Sequence, residues 1–309
     1  MEKLRVAVIG VGHLGSIHAR IYKELENCEL VGVCDINETQ LKGISQQFSV
    51  QGYADYKKLF KKVDAVSVAV PTKFHYQVAK EFLKHKIHVL VEKPFTINLK
   101  EAKSLIKISK ANNLKLQVGH IERFNSAFTA TQKLIHNPKF IECHRLSAFS
   151  NRSLDIGVVM DLMIHDLDIV LGLVNSPVKR VDAVGIPVLT PLEDIANARI
   201  TFANGCVCNL TASRVSDEPM RKIRIFQENA YISLDYRAEQ AHMYKKSLLG
   251  ISKDTLPIEK EEPLKRELAS FVECVTQNKT PLVSGEVAYP ALALALRIQK
   301  LIWRTQKNI

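Results

Sequence analysis

The first third of the chain alternates short runs of consecutive apolar residues with longer segments whose apolar positions recur every three or four residues. The strands predicted from this pattern cover residues 6–9, 30–34, 65–70, 88–91 and 114–118, the last of which is interrupted by Lys115 and Gln117. Uninterrupted runs of this length are typical of parallel strands buried on both faces, and the longer period is typical of amphipathic helices. The alternation predicts a doubly wound α/β domain with a parallel sheet and helices at 16–25, 38–48, 74–84 and 99–111.

The second half of the chain has a different pattern, in which apolar and polar residues alternate with a period of two. Such alternation is typical of antiparallel strands with one buried face. It predicts strands at 141–150, 179–188, 197–202, 207–213, 222–227, 230–236 and 240–245, with helices at 156–173, 264–277 and 286–307. We therefore expect an N-terminal domain over residues 1–121 and a C-terminal α+β domain over 122–309. The second domain would have a large, mostly antiparallel, open-faced sheet, and the last helix is a candidate for packing back on the first domain.

A glycine-rich turn follows the first predicted strand. Gly10, Gly12 and Gly15 have the spacing G-x-G-x-x-G. In such a turn the first glycine allows a tight bend, the second lets the backbone approach a pyrophosphate, and the third lets the helix pack on the strand. The free backbone N–H groups at the start of the helix 16–25 would bind the phosphates, and His13 and Leu14 of the turn are further candidates for binding the cofactor.

The next predicted strand ends in Asp35, 20 residues beyond Gly15. A dinucleotide fold places a carboxylate at this position on the adenosine ribose hydroxyls. The following Ile36, Asn37 and Glu38 include no cation for a 2′-phosphate, so the sequence predicts NAD rather than NADP. The alternative is that Asp35 only caps the next helix.

Two further segments end predicted strands and would lie at the carboxyl edge of the sheet, where ligands of parallel sheets bind. Pro71, Thr72 and His75 follow one strand, although Thr72 could instead cap a helix and His75 could be a surface residue.

Glu92 and Lys93 follow the next strand, with Pro94 a candidate for a cis peptide bond. A lysine near a cationic nicotinamide would have a lowered pKa, suited to holding or deprotonating a hydroxyl. A solvated surface lysine is the alternative.

Asp161 and His165 are four residues apart in a predicted helix and therefore share one face. Together they could form an oriented imidazole that accepts a hydroxyl proton; the alternative is a histidine satisfied in the interior. A third polar cluster, residues 119–125, lies at the predicted domain junction, where clefts bind ligands.

The formal net charge of +11 has two interpretations, a nucleic-acid partner or an anionic small molecule. The sequence has no nucleic-acid motif, and its lysines are spread over predicted helix surfaces. Six cysteines lack metal-ligand spacing, so we expect reduced thiols and no metal site. The sequence shows no signal peptide and no apolar run of about 18 residues, which predicts a cytoplasmic protein without membrane or nucleic-acid partners.

Taken together, the glycine turn, Glu92-Lys93-Pro94 and the Asp161/His165 pair resemble the Gfo/Idh/MocA family of oxidoreductases over essentially the whole chain. The resemblance implies an N-terminal Rossmann domain that binds NAD, with Lys93, His165 and Asp161 as catalytic residues. It does not decide whether Lys93 or His165 is the base. The chain departs from the family pattern at Gly157, which stands alone where most members have a glycine pair.

Residues 119–125, 161–168 and 221–227 more narrowly resemble the UDP-N-acetylglucosamine 3-dehydrogenase branch of this family. That resemblance implies oxidation of the C3 hydroxyl of a nucleotide sugar to a ketone, by a homodimer or homotetramer. The substrate-binding residues would be His120, Glu122, Arg123, Asn125, Arg152, Arg214 and Arg221; arginine forks suit a diphosphate. Two alternatives stay open: a dehydrogenase of a free polyol such as inositol, and a catalytically silent NAD-binding regulator.

Overall fold

A computed structural model describes residues 3–150, 154–247 and 250–306, with the backbone alone for 305 and 306. Contacts divide the chain into two compact units, residues 1–120 with 264–289 and residues 121–263 with 290–309. We call them the first and second unit. The sequence prediction placed one boundary after residue 121 and so assigned residues 264–289 to the second domain. The contacts group these residues with the first unit.

The first unit is built on a six-stranded parallel sheet in the order β3-β2-β1-β4-β5-β6. Strand order reverses between β1 and β4, the point where doubly wound sheets bind dinucleotides. The strands are β1 (Leu4–Ile9), β2 (Cys28–Cys34), β3 (Gln51–Tyr53), β4 (Ala65–Val68), β5 (His88–Glu92) and β6 (Leu116–Gly119), and the helices that alternate with them are α1 (His13–Glu24), α2 (Glu38–Phe48), α3 (His75–Lys84) and α4 (Leu99–Ala111).

Asparagine side chains cap two of these helices. Asn37 accepts a hydrogen bond from the Gln40 backbone N at the start of α2, and Asn98 accepts one from the Glu101 backbone N at the start of α4. A side-chain oxygen at this position satisfies a backbone donor that has no partner within the helix. The start of α4 therefore agrees with the sequence, whereas α2 is capped by Asn37 and not by Asp35.

The second unit contains an eight-stranded sheet in the order β14-β13-β12-β11-β7-β10-β9-β8. Strands β7 and β10 pair in parallel and the other neighbours are antiparallel. The strands are β7 (Phe140–Leu146), β8 (Val178–Ile186), β9 (Ile195–Phe202), β10 (Val207–Ser213), β11 (Met220–Gln227), β12 (Ala230–Asp235), β13 (Gln240–Ser247) and β14 (Gly250–Thr255), and the remaining helices of the chain are α5 (Ser126–Thr131), α6 (Ile164–Leu173), α7 (Pro263–Thr276) and α8 (Gly285–Gln306). The predicted fold class is confirmed.

The two faces of the eight-stranded sheet differ in burial. Ile141, Cys143 and Ile225 are among the alternate residues that are buried on one face. On the other face, the rings of Phe140, Phe226, Tyr231 and Tyr244 form a row across β7, β11, β12 and β13, with neighbouring centroids 4.3–5.7 Å apart. All four residues of that row are half-buried. The alternation of apolar and polar residues in the sequence thus correctly predicts that only one face of this sheet is fully buried.

The structure contains β3 and α5, which the hydrophobic pattern did not predict, and differs from the prediction at two further elements. The helix predicted over 156–173 begins as a π-helical turn, Val159–Met163, and becomes α-helical only at Ile164. Strand β14 has exposed residues on both faces, so it lacks the alternation by which a strand is recognised.

All six cysteines are buried free thiols. Among the described residues, the search for a helix with the length and apolar character needed to cross a bilayer finds none.

Candidate functional site

The glycine turn after β1 needs glycine at two of its three positions. Gly10 has a φ of +85°, and a Cβ there would lie 2.7 Å from the Ala69 carbonyl oxygen. A Cβ on Gly15 would collide with the Gly10 carbonyl oxygen, so the third glycine lets α1 approach the strand. At Gly12 a Cβ would meet nothing within 4 Å, which leaves room for a ligand beside the start of α1. The backbone N–H groups of His13 and Leu14 lie in the first turn of that helix, where helices bind phosphate.

The Asp35 carboxylate lies beside this turn. One oxygen accepts a hydrogen bond from the Val11 backbone N at 2.8 Å, and the other accepts one from the Asn37 backbone N at 2.8 Å. These bonds join the ends of β1 and β2 and place a negative charge next to the open position at Gly12. The alternative that Asp35 only caps α2 is wrong, because Asn37 caps it. The open turn, the helix N-terminus and the carboxylate fit the phosphate and ribose parts of NAD.

His75 connects the segments that follow β4 and β5. Its Nε2 lies 2.8 Å from the Val70 carbonyl oxygen and its Nδ1 lies 2.9 Å from the Pro94 carbonyl oxygen. Burial lowers the pKa of His75, against the opposing effect of these two carbonyl oxygens. The neutral ring therefore donates to one of them. The alternative of a surface His75 is wrong, since the residue is 1% exposed.

The other candidates beside His75 also have defined places. Pro71 is exposed and precedes the 3-10 turn Thr72–Phe74, in which Thr72 is buried. Thr72 does not cap α3, whose N-cap residue is Phe74. The cofactor-binding roles of Pro71, Thr72 and His75 stay predictions, and His75 in addition restrains the backbone beside Lys93.

Glu92 ends β5 and anchors the backbone of Lys93. Its carboxylate lies 3.1 Å from Nε2 of the fully buried His18 and accepts a hydrogen bond of 3.2 Å from the Lys93 backbone N. Burial alone would raise the pKa of Glu92, but His18, Lys93 and His75 outweigh it and hold the pKa below its ordinary value. A Cβ on Gly119 would lie 2.8 Å from this carboxylate, which explains the glycine at the end of β6. Half-buried Lys93 follows, and its peptide bond to Pro94 is cis.

A second acid, Glu267 of α7, is buried in the same unit. It is fully buried, and neither of its carboxyl oxygens has a hydrogen-bond partner among the described residues. Burial, followed by the charge of Glu92, raises the pKa of Glu267 well above its ordinary value. Burial and the charge of Glu92 therefore both favour the neutral carboxylic acid form of Glu267.

Asp161 and His165 belong to the second unit. Asp161 lies in the π-helical turn and is half-buried, whereas His165 lies in the first turn of α6 and is 8% exposed. The expected α-helical spacing is thus replaced by a π-helical turn, a feature often found at functional sites.

The segment before the π turn is held from two sides. The Arg214 guanidinium donates a 2.6 Å hydrogen bond to the Ile156 carbonyl oxygen, and the Val158 backbone N donates to the Glu193 carbonyl oxygen at 2.9 Å. A Cβ on Gly157 would collide with the Glu193 carboxylate. The lone glycine noted in the sequence is therefore required by this contact.

Glu122 is part of a buried ionic cluster. Its carboxylate accepts a 2.8 Å hydrogen bond from Arg145 of β7, and the same guanidinium binds both oxygens of Asp166 of α6 at 2.8–2.9 Å. The Glu122 and Asp166 side chains are 8% and 3% exposed. The substrate-binding role of Glu122 stays a prediction, and its observed contact is with Arg145.

The remaining residues predicted to bind substrate differ in burial and in their protein contacts. Arg123 binds Asp168 of α6 at 2.6 Å, and Asn125 caps α5 and donates to the Tyr236 carbonyl oxygen. His120 is buried, whereas Arg221 at the start of β11 is exposed. Arg152 lies outside the described residues.

Sequence reasoning missed His18, Arg145, Glu193 and Glu267. A signal existed for three of them. Arg145 has the same parity in β7 as buried Ile141 and Cys143, and His18 and Glu267 lie on the apolar stripes of α1 and α7. A charged residue on a buried face requires a partner or a neutral state.

Comparisons with known proteins bear on the whole chain. Residues 4–120 match the family model described as an oxidoreductase family with an NAD-binding Rossmann fold, and residues 117–233 match the C-terminal domain model of the Gfo/Idh/MocA family. The UDP-N-acetylglucosamine 3-dehydrogenase of Acidithiobacillus ferrooxidans is 35% identical over 97% of both chains. A solved structure of that enzyme superposes with a TM-score of 0.93 at 36% identity and covers 98% of each chain.

A more distant relative is the myo-inositol 2-dehydrogenase of Thermotoga maritima, 27% identical over 96% of both chains. The Rossmann description of the first family model and the superposition on the solved structure agree with the fold described above. The chain therefore belongs to the Gfo/Idh/MocA family of NAD-binding oxidoreductases.

Proposed function

We propose that this oxidoreductase oxidises the C3 hydroxyl of UDP-N-acetylglucosamine to a ketone with NAD. The observation that carries the proposal is the similarity to the Acidithiobacillus ferrooxidans enzyme, 35% over 97% of both chains. Lys93, Asp161 and His165, which the family resemblance implies for catalysis, are all present. A catalytically silent regulator would have no need of all three.

The first unit supplies the proposed NAD site. Gly10, Gly12 and Gly15 shape the turn, the N–H groups of His13 and Leu14 would hold the phosphates, and Asp35 would hold the ribose hydroxyls. Residues 36–38 include no lysine or arginine, which favours NAD over NADP. When bound, NAD accepts a hydride from the substrate carbon.

Proton transfer in the proposed reaction falls to Lys93 of the first unit or His165 of the second. Lys93 is restrained from both sides, because its own backbone N binds Glu92 and the next residue binds His75. Asp161 would orient the imidazole and stabilise its charged form. The residue that acts as the base would remove the C3 hydroxyl proton.

Arg221 is the best placed of the described arginine candidates for a diphosphate. Arg123 and Arg214 are engaged with Asp168 and the Ile156 carbonyl oxygen, whereas Arg221 is exposed. It lies directly opposite Arg145 in the pairing of β11 with β7, and therefore on the same sheet face. A planar guanidinium on this face suits bidentate binding of phosphate oxygens.

The open sheet face supports a homodimer or homotetramer. Val184, Ile186 and Ile195 on this face are 51%, 49% and 36% exposed, and the row of four aromatic rings lies on the same face. Exposed apolar side chains on one face are a feature of protein interfaces. We propose that a second copy of the chain covers it.

An inositol-type dehydrogenase is the second candidate function. The Thermotoga maritima relative, which also matches over 96% of both chains, favours it. A free polyol has no phosphates, so this alternative leaves Arg221 without a role in binding.

The test is incubation of the protein with NAD and a panel of nucleotide sugars and free polyols. We expect reduced-cofactor absorbance with UDP-N-acetylglucosamine, and a product lighter by two hydrogens. A trapping amine or a coupled aminotransferase removes the ketone, because the equilibrium can favour the alcohol. Turnover of inositol with no turnover of nucleotide sugars would replace the proposal with the second candidate.

A further inference from the structure

Arg145 is a cation on the buried face of a strand. Its side chain is 3% exposed and lies on the face of β7 that also carries buried Ile141 and Cys143. Burial alone would lower the pKa of Arg145, but the carboxylates of Asp166 and Glu122 outweigh it, so the guanidinium stays charged.

The contacts of Arg145 fix the guanidinium in one orientation. Nε and Nη2 donate to the two oxygens of Asp166 at 2.9 and 2.8 Å, and Nη1 donates to Glu122 at 2.8 Å. The guanidinium carbon also lies 5.6 Å from the centre of the Tyr236 ring. A bidentate bond constrains direction as well as distance, which a single ammonium cannot do.

The carboxylate that Arg145 binds belongs to the neighbour of His165. Asp166 directly follows His165 in the first turn of α6. A rotation of this turn that moved the imidazole would also move Asp166 out of the plane of the Arg145 fork. The Arg123 pair with Asp168 restrains the same helix two residues further on.

Stability alone is a poor account of such a cluster. A buried ion triad can often be replaced by well-packed apolar residues without loss of stability, because desolvation offsets the attraction between the charges. What the fork supplies in addition is one defined rotation of the helix that carries His165.

We infer that Arg145 is a positioning residue, which sets the orientation of His165 through Asp166. The inference rests on the proposed function for its kinetic consequence, but its structural part concerns α6 alone. Preorganisation of this kind matters because misplacement by about 1 Å can reduce turnover by about 100-fold.

The experiment compares Arg145→Lys, Asp166→Asn and Glu122→Gln with Arg180→Met. Lysine keeps the charge at position 145 but loses the fork. Asp166 and Glu122 are both buried partners of Arg145, but only Asp166 belongs to α6. Arg180 pairs with Asp182 at the surface, where its side chain is 72% exposed, and is the control.

Two readouts are taken on folded protein, quantified by NAD binding. The first is kcat and KM with UDP-N-acetylglucosamine, and the second is amide hydrogen exchange over residues 161–169, which needs no substrate. We expect Asp166→Asn to reduce kcat per folded molecule about 10- to 100-fold with the KM for NAD unchanged. Glu122→Gln should reduce kcat by a smaller factor, and Arg145→Lys should retain part of the activity. Exchange should rise in 161–169 for Arg145→Lys and Asp166→Asn.

Equal kcat values per folded molecule in Asp166→Asn, Glu122→Gln and the parent protein would overturn the inference. So would unchanged hydrogen exchange in residues 161–169. If the parent protein does not oxidise UDP-N-acetylglucosamine, the proposed function fails, and the exchange measurement still decides whether Arg145 orders α6.

Discussion

Each unit buries a pair of carboxyl groups near a proposed catalytic residue, but the two pairs are neutralised differently. In the second unit Glu122 and Asp166 share the Arg145 guanidinium. In the first unit the Glu92 carboxylate has the imidazole of His18 as its partner, whereas the carboxyl oxygens of Glu267 have no hydrogen-bond partner among the described residues. The cation of the second unit is permanent, whereas the fold of the first unit favours the protonated form of Glu267, which can lose its proton as pH rises.

Both units neutralise buried carboxyl groups, but the charge of the second cluster should depend less on pH than the charge of the first. The Arg145 guanidinium keeps its charge, since arginine does not lose its proton in proteins. The Glu92 and Glu267 cluster changes its charge when protons are added or removed. We therefore expect the stability of the first unit to depend on pH more steeply than that of the second.

The largest expected effect comes from removing the proposed catalytic side chain of each unit. Lys93→Ala and His165→Ala should each reduce turnover by about 10²–10⁴, the usual contribution of a general acid or base. Lys107→Ala, at an exposed position of α4, is the matched lysine control and should retain full turnover. Initial rates of NAD reduction measure the effect, with NAD binding as the check on folding. Near-normal turnover in either variant would remove that residue from the mechanism.

The second prediction concerns the permanent cation. Arg145→Met should lower the free energy of unfolding by about 3–5 kcal/mol, because two buried carboxylates lose their partner. Arg180→Met breaks an exposed pair and should change it by less than about 1 kcal/mol. Urea unfolding of both variants measures the difference. Equal small losses would show that the buried cluster is no more strongly coupled than the surface pair.

The third prediction concerns the titratable pair. The folded-state pKa of Glu267 is raised, so the folded protein keeps a proton that the unfolded chain releases above about pH 4.3. Stability is therefore lost as pH rises from that value to the folded-state pKa, by about 1.4 kcal/mol per pH unit. Glu267→Gln should remove this loss and give a stabilisation that grows with pH.

Denaturant unfolding of Glu267→Gln and the parent protein at several pH values measures this effect. Glu273→Gln, at a surface position of the same helix, is the control and should show no such trend. A stabilisation by Glu267→Gln that does not change with pH would show that Glu267 is not held neutral by the fold.

The smallest expected effect concerns the approach to the π turn. Gly157→Ala places a Cβ against the Glu193 carboxylate and should cost about 1–3 kcal/mol of stability. Gly43→Ala, in α2 with nothing within 4 Å of the added Cβ, should be neutral or slightly stabilising. Thermal unfolding compares the two variants. If Gly157→Ala is as stable as Gly43→Ala, the segment before α6 is not held by Glu193.

The sequence predicted the fold well where local chemistry decides the structure. The bend at Gly10, the packing at Gly15 and the cap at Asn98 depend on neighbouring residues, so their patterns can be recognised directly. The sequence missed features that depend on residues far apart in the chain. Gly119 is explained by the Glu92 carboxylate, Gly157 by that of Glu193, and the burial of His75 by carbonyl groups after two different strands.

The candidate site was predicted in part for the same reason. Short motifs identified Lys93, Asp161 and His165 as candidates, because a motif preserves residue types and spacing. They could not reveal that Arg123 and Glu122 contact Asp168 and Arg145, since these partners come from other elements of the second unit. Nor could α-helical periodicity indicate a π turn, which has an extra residue per turn within the same apolar pattern.

The most direct test of the proposed reaction is transfer of an isotopic label. UDP-N-acetylglucosamine carrying deuterium at C3 is incubated with the protein and NAD, and the mass of the reduced cofactor is measured. The account predicts that the deuterium appears in the reduced cofactor while the sugar becomes a 3-ketone. Reduction of NAD without the label, or no reduction with this substrate, would contradict it.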